Sequence, residues 1–443
     1  MSLKRQSART HPDNRWGVTH AHARAVLVFA VAALGALLAQ RPDLLLMGSP
    51  LGMVALWSVL SRPTTVPETR LVIPAAHLRE GQWSRAVVGV MTCPHTELVS
   101  SSLTHGTQVD LDPERGARTH LVTARDRERA ELHVSTRVRP GRWGLRRVGP
   151  VLVGATSPWG AFRWGPVPIE HQTVKVLPDP AVFDTSAPAP HPQGLVGQHR
   201  SRFPGDGSEF NTIRTFQWGD RLKRIHWARS LRTGELHVTS SYADQDTHVA
   251  IIVDAHYDLG SSDLATRQSS SLDYSVRAAA AVAEHFLHQG DRVSLQVLSA
   301  RTPLSLPPGT GRRHTHRVLQ ALALVQAQPQ EQIDPRRVRH GMGPGTLAVM
   351  ISALVSPAPL AQAALLSRSG TQVVVIDALV DDVQPPGEQD DIARLGWRIR
   401  LMEREGEVRR VRASGVPVVP WRGPGSLDQV LRSLARHRQG AAR

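Results

Sequence analysis

The sequence predicts a helical hairpin in a membrane, then a β-rich region, then an α/β region built on a mostly parallel sheet. Three observations lead there. Two apolar runs with a short polar turn between them stand near the N-terminus. Short β-like runs punctuated by Pro and Gly follow them. Strand-like and helix-like segments then alternate to the C-terminus. A chain of 443 residues suggests two or three domains.

The N-terminus is polar and basic, with Lys4, Arg5, Arg9, Arg15 and Arg24. One apolar run covers Ala25–Ala39 and a second Leu44–Leu60, with Arg41-Pro42-Asp43 between them and Arg62-Pro63 after them. Each run falls somewhat short of the ~20 residues of a spanning helix. Two such runs around a tight turn still read as a membrane hairpin. The positive-inside rule places the N-terminus in the cytoplasm. Two crossings return the remaining chain there, as expected of a two-pass protein of the inner (cytoplasmic) membrane. A secretory signal peptide ending at Ala39 is one alternative, and a buried soluble hairpin another.

From Pro67 to Pro180 the runs Ala86–Met91, Arg118–Thr123, Glu131–Val138, Val148–Val153 and Thr173–Leu177 alternate with Pro and Gly turns. This predicts a small antiparallel sandwich or barrel, with Trp143, Trp159 and Trp164 as bulky packing residues. Ala187–Pro192 reads as a linker. Beyond it, His248–Val253 is a strand ending at Asp254, and Leu272–Gln289 an amphipathic helix with Ser271 at its N-cap and Gly290 beyond its end. Arg292–Leu298, Leu347–Ile351, Gln372–Ile376 and Val416–Val419 read as strands. His314–Gln326, Pro359–Ser367 and Ser426–His437 read as helices. The expected divisions are 1–62 for the hairpin, 63–180 for the β-rich domain, 181–243 for linker and motif, and 244–443 for the α/β domain.

The net charge is +15, and nearly all of the positive charge is arginine, since only Lys4, Lys175 and Lys223 are lysine. Affinity for nucleic acid is one reading of such a balance. The arginines are spread along the chain among abundant Ala, Gly and Pro, which fits compositional bias better, so no nucleic-acid partner is expected. Some attraction to anionic lipid headgroups follows in any case. A single cysteine, Cys93, excludes a disulfide framework and a Cys-rich zinc site; it reads as a packed, inert thiol.

The densest segment is Gly207–Val238. Gly219-Asp220 and Thr233-Gly234 are turn signals. Alternation on both sides of the second turn, from Trp227 to Val238, predicts a hairpin. Arg214, Arg224 and Arg232 can pair with Glu209, Asp220 and Glu235. One reading makes the segment a joint between the β-rich and α/β domains; another makes it a docking surface anchored by Trp and Arg. Arginines interleaved with aromatics also permit nucleic-acid binding.

In an open α/β sheet, ligands collect at the carboxyl ends of strands near the switch in strand order. Asp254 lies at such an end and is followed by Ala-His-Tyr-Asp258. A first strand ending in Asp, followed by alternating helices and strands, resembles a von Willebrand factor A-like domain. The resemblance implies a divalent cation, held through Asp-x-Ser-x-Ser and by Thr and Asp from later loops. Asp254 fits the first position, but His256 and Asp258 stand where the serines belong. Ser352-Ala353 stands where the later Asp is expected, and Thr346 is no convincing replacement. Mg²⁺ at Asp254, His256 and Asp258 is therefore an alternative to a degenerate site without cofactor. His314-Thr-His316 is read as solvated rather than metal-binding.

The whole arrangement is similar to domain-of-unknown-function family 58. The matching positions are Gly207, Glu209 and Phe210, then Ile213-Arg214, Phe216, Gly219-Asp220, Arg224-Ile225-His226-Trp227 and Ser230, then Arg232, Gly234 and Leu236. After Leu236, His237-Val-Thr-Ser-Ser241 replaces the family's typical acidic or Arg-containing stretch. The resemblance implies association with MoxR-type AAA+ ATPases and adaptor or chaperone-like work. No Gly-rich phosphate loop, Gly-x-Ser-x-Gly elbow or His-Glu-x-x-His motif is present, so a non-enzymatic adaptor or scaffold is expected. The alternatives are a metal-dependent binding or hydrolytic protein using the Asp254 loop, and a membrane-tethered nucleic-acid binder.

Overall fold

Thr19 starts the first long helix. Its hydroxyl oxygen accepts the His22 amide, and the helix runs 20 residues from His20 to Ala39. It ends where Gln40 enters the left-handed region at φ 54° and returns its N–H to Ala36. Pro42 opens the second helix, Pro42–Leu60, of 19 residues. Both helices begin before their apolar runs, because capping groups and not hydropathy set their starts. That restores the length the runs lacked: about 30 Å each, long and apolar enough to cross a membrane. They pack together through small residues. A Cβ on Gly48 would lie 2.8 Å from Ala32 Cβ, and one on Gly52 2.6 Å from the Phe29 ring. The opposite faces expose Leu27, Val31, Leu38, Leu46 and Met53.

This computed structural model describes residues 14–432 except 75–76, 105, 107, 124–130, 180–199, 219, 221, 245–247, 263–267, 299–303, 328–341, 343–345, 382, 384–389, 423–424, 427 and 431; for 200–211 and 241–244 it describes backbone only. The chain separates into two units, Met1–Leu177 and Pro178–Arg443.

In the first unit the hairpin leads into antiparallel sheets. A five-stranded sheet orders Trp16–Val18, Phe162–Ile169, Val151–Thr156, Leu98–Leu103 and Ala117–Leu121. A four-stranded sheet orders Glu68–Val72, Ser84–Met91, Leu132–Pro140 and Val109–Asp112. A three-stranded sheet joins Leu78–Arg79, Gln172–Leu177 and Gly144–Val148; its Leu78–Arg79 pairing is parallel. Strict alternation along Leu132–Pro140 buries every second residue. The inward residues form one core around Val90, Val99, Val138, Val151 and Trp164. The strand Trp16–Val18 was unforeseen: it lies in a stretch read only as basic, and it pairs Trp16 with Trp164. Trp143 and Trp164 are buried as expected, whereas Trp159 is exposed on a turn at φ 62°. Cys93 is a buried free thiol, and burial pushes its pKa up, away from nucleophile chemistry.

The second unit opens with a two-stranded antiparallel sheet of Arg200–Thr215 and His237–Asp244. Its main body is a six-stranded sheet. From one edge to the other it runs Leu304–Gly309, Arg292–Leu298, His248–Asp254, Leu347–Ser352, Gln372–Asp377 and Val418–Pro420. All pairings are parallel except that of the Leu304–Gly309 edge. In chain order this is 3-2-1-4-5-6, so the order reverses between His248–Asp254 and Leu347–Ser352. The helices are Ser271–His288, Gly311–Leu322, Pro357–Arg368 and Asp391–Ala413. The first is capped by Ser270 and Asp273 in a reciprocal box, one residue earlier than the expected Ser271 cap.

Two helices depart from expectation. Gly311–Leu322 starts three residues early, and His314 is buried with its Nε2 2.8 Å from the Val293 carbonyl oxygen, not solvated. Asp391–Ala413 has no counterpart in the sequence reading. The helix expected over Ser426–His437 lies mostly outside the described residues.

Candidate functional site

The signature segment folds differently from the predicted hairpin. Trp227–Thr233 is a short helix, not a strand, and His237–Asp244 pairs instead with Arg200–Thr215. His226 begins the helix, its Nδ1 accepting the Arg229 amide at 3.2 Å. Gly234 ends it at φ 77°, giving its N–H to the Ser230 carbonyl. A β-substituent on Gly234 would meet nothing, so the left-handed backbone is what requires glycine. The buried Ser230 hydroxyl donates to the His226 carbonyl at 3.0 Å and accepts the His237 amide at 2.9 Å. Helix and strand are thereby tied together.

Arg214 reaches Asp220 through two parallel hydrogen bonds, Nη1 to Oδ2 at 2.8 Å and Nη2 to Oδ1 at 2.6 Å. Asp220 also accepts the Gln217 amide at 2.8 Å. The Arg214 guanidinium, then that amide, hold the Asp220 carboxyl below its usual range. Among the described side chains, Arg214–Asp220 realises one of the anticipated ion pairs. Gly219 lies outside the described residues; Gly207 and Glu209 lie in a strand described by backbone only.

The motif thus divides by direction. Arg214, Asp220, His226, Ser230 and Gly234 hold the backbone. Trp218, Leu222, Trp227 and Leu231 face outward and are exposed, as is Arg232. Between them lies an open cavity of about 390 Å³ lined by Lys223, Arg224, Ile225, His226, Trp227, Ala228 and Thr239. Its lining mixes the basic Lys223 and Arg224 with the apolar Ile225, Trp227 and Ala228.

The second candidate lies where the strand order reverses. Asp254 Oδ1 accepts the His256 amide at 3.1 Å and lies 2.5 Å from His256 Nδ1. Its Oδ2 accepts the Ser352 hydroxyl at 2.6 Å, and Ser352 Oγ accepts the Leu354 amide at 2.9 Å. The hydrogen bond to Asp254 raises the His256 pKa above its ordinary value, with burial opposing it. Asp258 turns away: its Oδ1 accepts the Leu272 amide at 3.3 Å, at the start of the helix Ser271–His288.

The donor set does not fit a hard dication. Both Asp254 oxygens face hydrogen-bond donors inside the fold. Ser352 adds a hydroxyl where the resemblance leads one to expect a carboxylate. Among the described residues, no group of three or more His, Cys, Asp or Glu side chains is placed to hold a metal ion. The His256 ring instead stands against one Asp254 oxygen from within the chain.

Next to this pair the sequence reading missed a second one. Asp377 ends the adjoining strand; its Oδ1 accepts the Leu379 amide at 3.1 Å and pairs with Arg404 Nη2. Arg404 Nε donates to the Ala353 carbonyl at 3.1 Å. Both side chains are buried. Asp377 carries the same signal as Asp254, an acidic residue closing an apolar strand. Arg404 lies on the helix that was not anticipated.

Residues 212–386 match the family described as "Protein of unknown function DUF58". That span includes most of the signature segment and all of the Asp254 loop. An uncharacterized protein of Mycobacterium bovis and two of Mycobacterium tuberculosis are each 33% identical to the chain over 187 residues, 42% of this chain and 51% of theirs. The chain spans about half the length of these curated relatives.

Proposed function

We propose that the protein is a membrane-anchored, non-enzymatic adaptor whose cytoplasmic von Willebrand A-like domain docks a protein partner, of the MoxR-type AAA+ ATPase class, without a metal. One observation carries this reading. Trp218, Leu222, Trp227 and Leu231 stand exposed on a backbone fixed from behind by Arg214–Asp220 and by His226, Ser230 and Gly234. Rigid outward aromatics flanked by cations are what interface anchors require.

The strand order and its reversal beside Asp254 support the von Willebrand A-like reading of the sheet. The ends of the N-terminal hairpin support a two-pass anchor. Trp16 Nε1, just before the first helix, donates to the Thr65 carbonyl just after the second at 2.8 Å. Entry and exit of the hairpin are therefore clipped together, as a chain that crosses and returns requires. With the basic N-terminus, this favours cytoplasmic placement of the remainder.

The test is purification of the full chain from native membranes, followed by mass spectrometry, for wild type and the Trp227→Ala/Leu231→Ala variant. An AAA+ ATPase retained by wild type and lost from a variant with unchanged circular dichroism is the expected result. If wild type retains no ATPase, the adaptor reading fails.

A further inference from the structure

The helix Asp391–Ala413 is apolar on two opposite faces. The inner face is fixed. Trp397 Nε1 donates to the Val383 carbonyl at 2.8 Å, Arg400 Nε to the Val355 carbonyl at 2.7 Å, and Arg404 and Val408 are buried. The helix therefore cannot roll to hide its other side. That side carries Ile392, Leu395, Ile399 and Met402, exposed by 80, 59, 50 and 71%. Their spacing of three, four and three residues is the a/d pattern of a helix-pairing seam. At 100° per residue the four lie within about 80° of one another, on the side opposite Arg404 and Val408.

We propose that this stripe pairs with the same stripe of a second copy of the chain, the two helices running parallel. Two features choose this occupant. The first is side-chain shape: within parallel assemblies, β-branched Ile at both a positions with Leu and Met at d favours two strands over three or four. The second is charge. In a parallel pair, a residue flanking the seam faces the partner's residue five positions later. Arg398 then meets Glu403 of the second copy, an attractive contact made twice in the pair; past Met402 the seam positions are Gly406 and Arg409, so the pairing ends there. In an antiparallel pair centred on the same stripe, Arg398 faces Arg398 and Asp391 faces Glu405, and both contacts repel. Glu403 also contacts Arg400 of its own helix at 3.2 Å, a solvent-exposed pair that does not compete strongly.

The seam is short. Four side chains per copy bury roughly 400 Å² on each partner, below the ~800 Å² of a stable standard interface. The pairing is therefore transient in dilute solution and is strengthened where copies are held together at high local concentration. The helix lies outside the 212–386 family match, and the inference does not depend on the adaptor reading.

The test is disulfide trapping of the full-length chain in native membranes, with Cys93→Ala as background. Leu395→Cys and Met402→Cys, each alone, are expected to give self-linked dimers under mild oxidation. Adding Arg398→Glu to Leu395→Cys should lower the trapped fraction at least fivefold. Adding Glu403→Arg to that variant should restore it. Melting temperature, read alongside, establishes that each variant is folded. Three outcomes overturn the proposal: no self-linked dimer from folded Leu395→Cys protein, trapping only between an Ile392→Cys copy and a Met402→Cys copy, or linkage to a different polypeptide. Trapping that is unchanged by Arg398→Glu overturns the charge-specified parallel register.

Discussion

His256 Nδ1 lies 2.5 Å from Asp254 Oδ1, while the other oxygen of that carboxylate takes the Ser352 hydroxyl. The hydrogen bond, together with the charge of Asp254, raises the folded-state pKa of His256 against the opposing effect of burial. A histidine whose pKa is raised on folding contributes stability that is fully present below its ordinary value near 6.5. That contribution is lost as pH rises through the raised folded value. The melting-temperature difference between wild type and His256→Ala should therefore be largest below about pH 6 and shrink on the alkaline side. Thermal denaturation of the detergent-solubilised chain across this range measures it, and a difference that grows with pH would contradict the assignment.

Ser352 is fully buried and holds the free side of Asp254. Its replacement by Ala leaves a buried carboxylate oxygen without its donor, at a cost of about 1–3 kcal/mol in urea unfolding. Because donors inside the fold already satisfy the carboxylate, isothermal titration of wild type with Mg²⁺, Mn²⁺ or Zn²⁺ is expected to show no saturable heat. Saturable binding abolished by Asp254→Ala would reverse that conclusion.

Much of this edge was legible in the sequence, because an apolar strand closed by Asp is a local signal. The missing later carboxylate was visible too, as Ser352. What Ser352 does instead could not be read, because two strand ends 98 positions apart meet only in the folded sheet. The helix Asp391–Ala413 escaped for another reason. Its two apolar faces oppose each other, so no single-face period emerges, and Gly396 and Gly406 weaken the helical signal further. The Trp227–Thr233 helix was mistaken for a strand because seven residues are too few to separate the two periods. There, caps from His226 and Gly234 decide, not periodicity.

The Asp377–Arg404 pair is buried on both sides, and Arg404 also donates to the Ala353 carbonyl. Truncating one member leaves an uncompensated charge in the interior. Asp377→Ala should cost about 3–5 kcal/mol. Asp377→Leu combined with Arg404→Met should cost markedly less, because it removes both charges and keeps the volume. Urea unfolding of the three proteins tests this; a double variant as unstable as the single one would mean that shape, not charge, dominates.

Asp291 stands at the opposite edge of the same sheet, just before the strand Arg292–Leu298. Its side chain is buried, and its Oδ2 has no hydrogen-bond partner. Burial alone pushes its pKa up from 3.8 to about 6. The sign is that of an acid made harder to ionise. The folded state holds the proton more tightly, so stability falls as pH rises from about 4 to 6, and by pH 7 the buried charge costs about 2–3 kcal/mol. Asp291→Asn removes that charge while keeping the shape, and its amide is no better partnered than the protonated acid. The variant should therefore be more stable than wild type at pH 7, and the advantage should vanish below about pH 4. Both Asp291 and His256 lower stability as pH rises, Asp291 as pH climbs to about 6 and His256 as pH climbs above its ordinary value. Asp291 precedes its strand and His256 follows the neighbouring one, so the sheet separates them and their effects should add. At each pH, the stability difference between wild type and the double variant with His256→Ala should equal the sum of the two single-variant differences; a clear departure from that sum would mean the two groups are coupled.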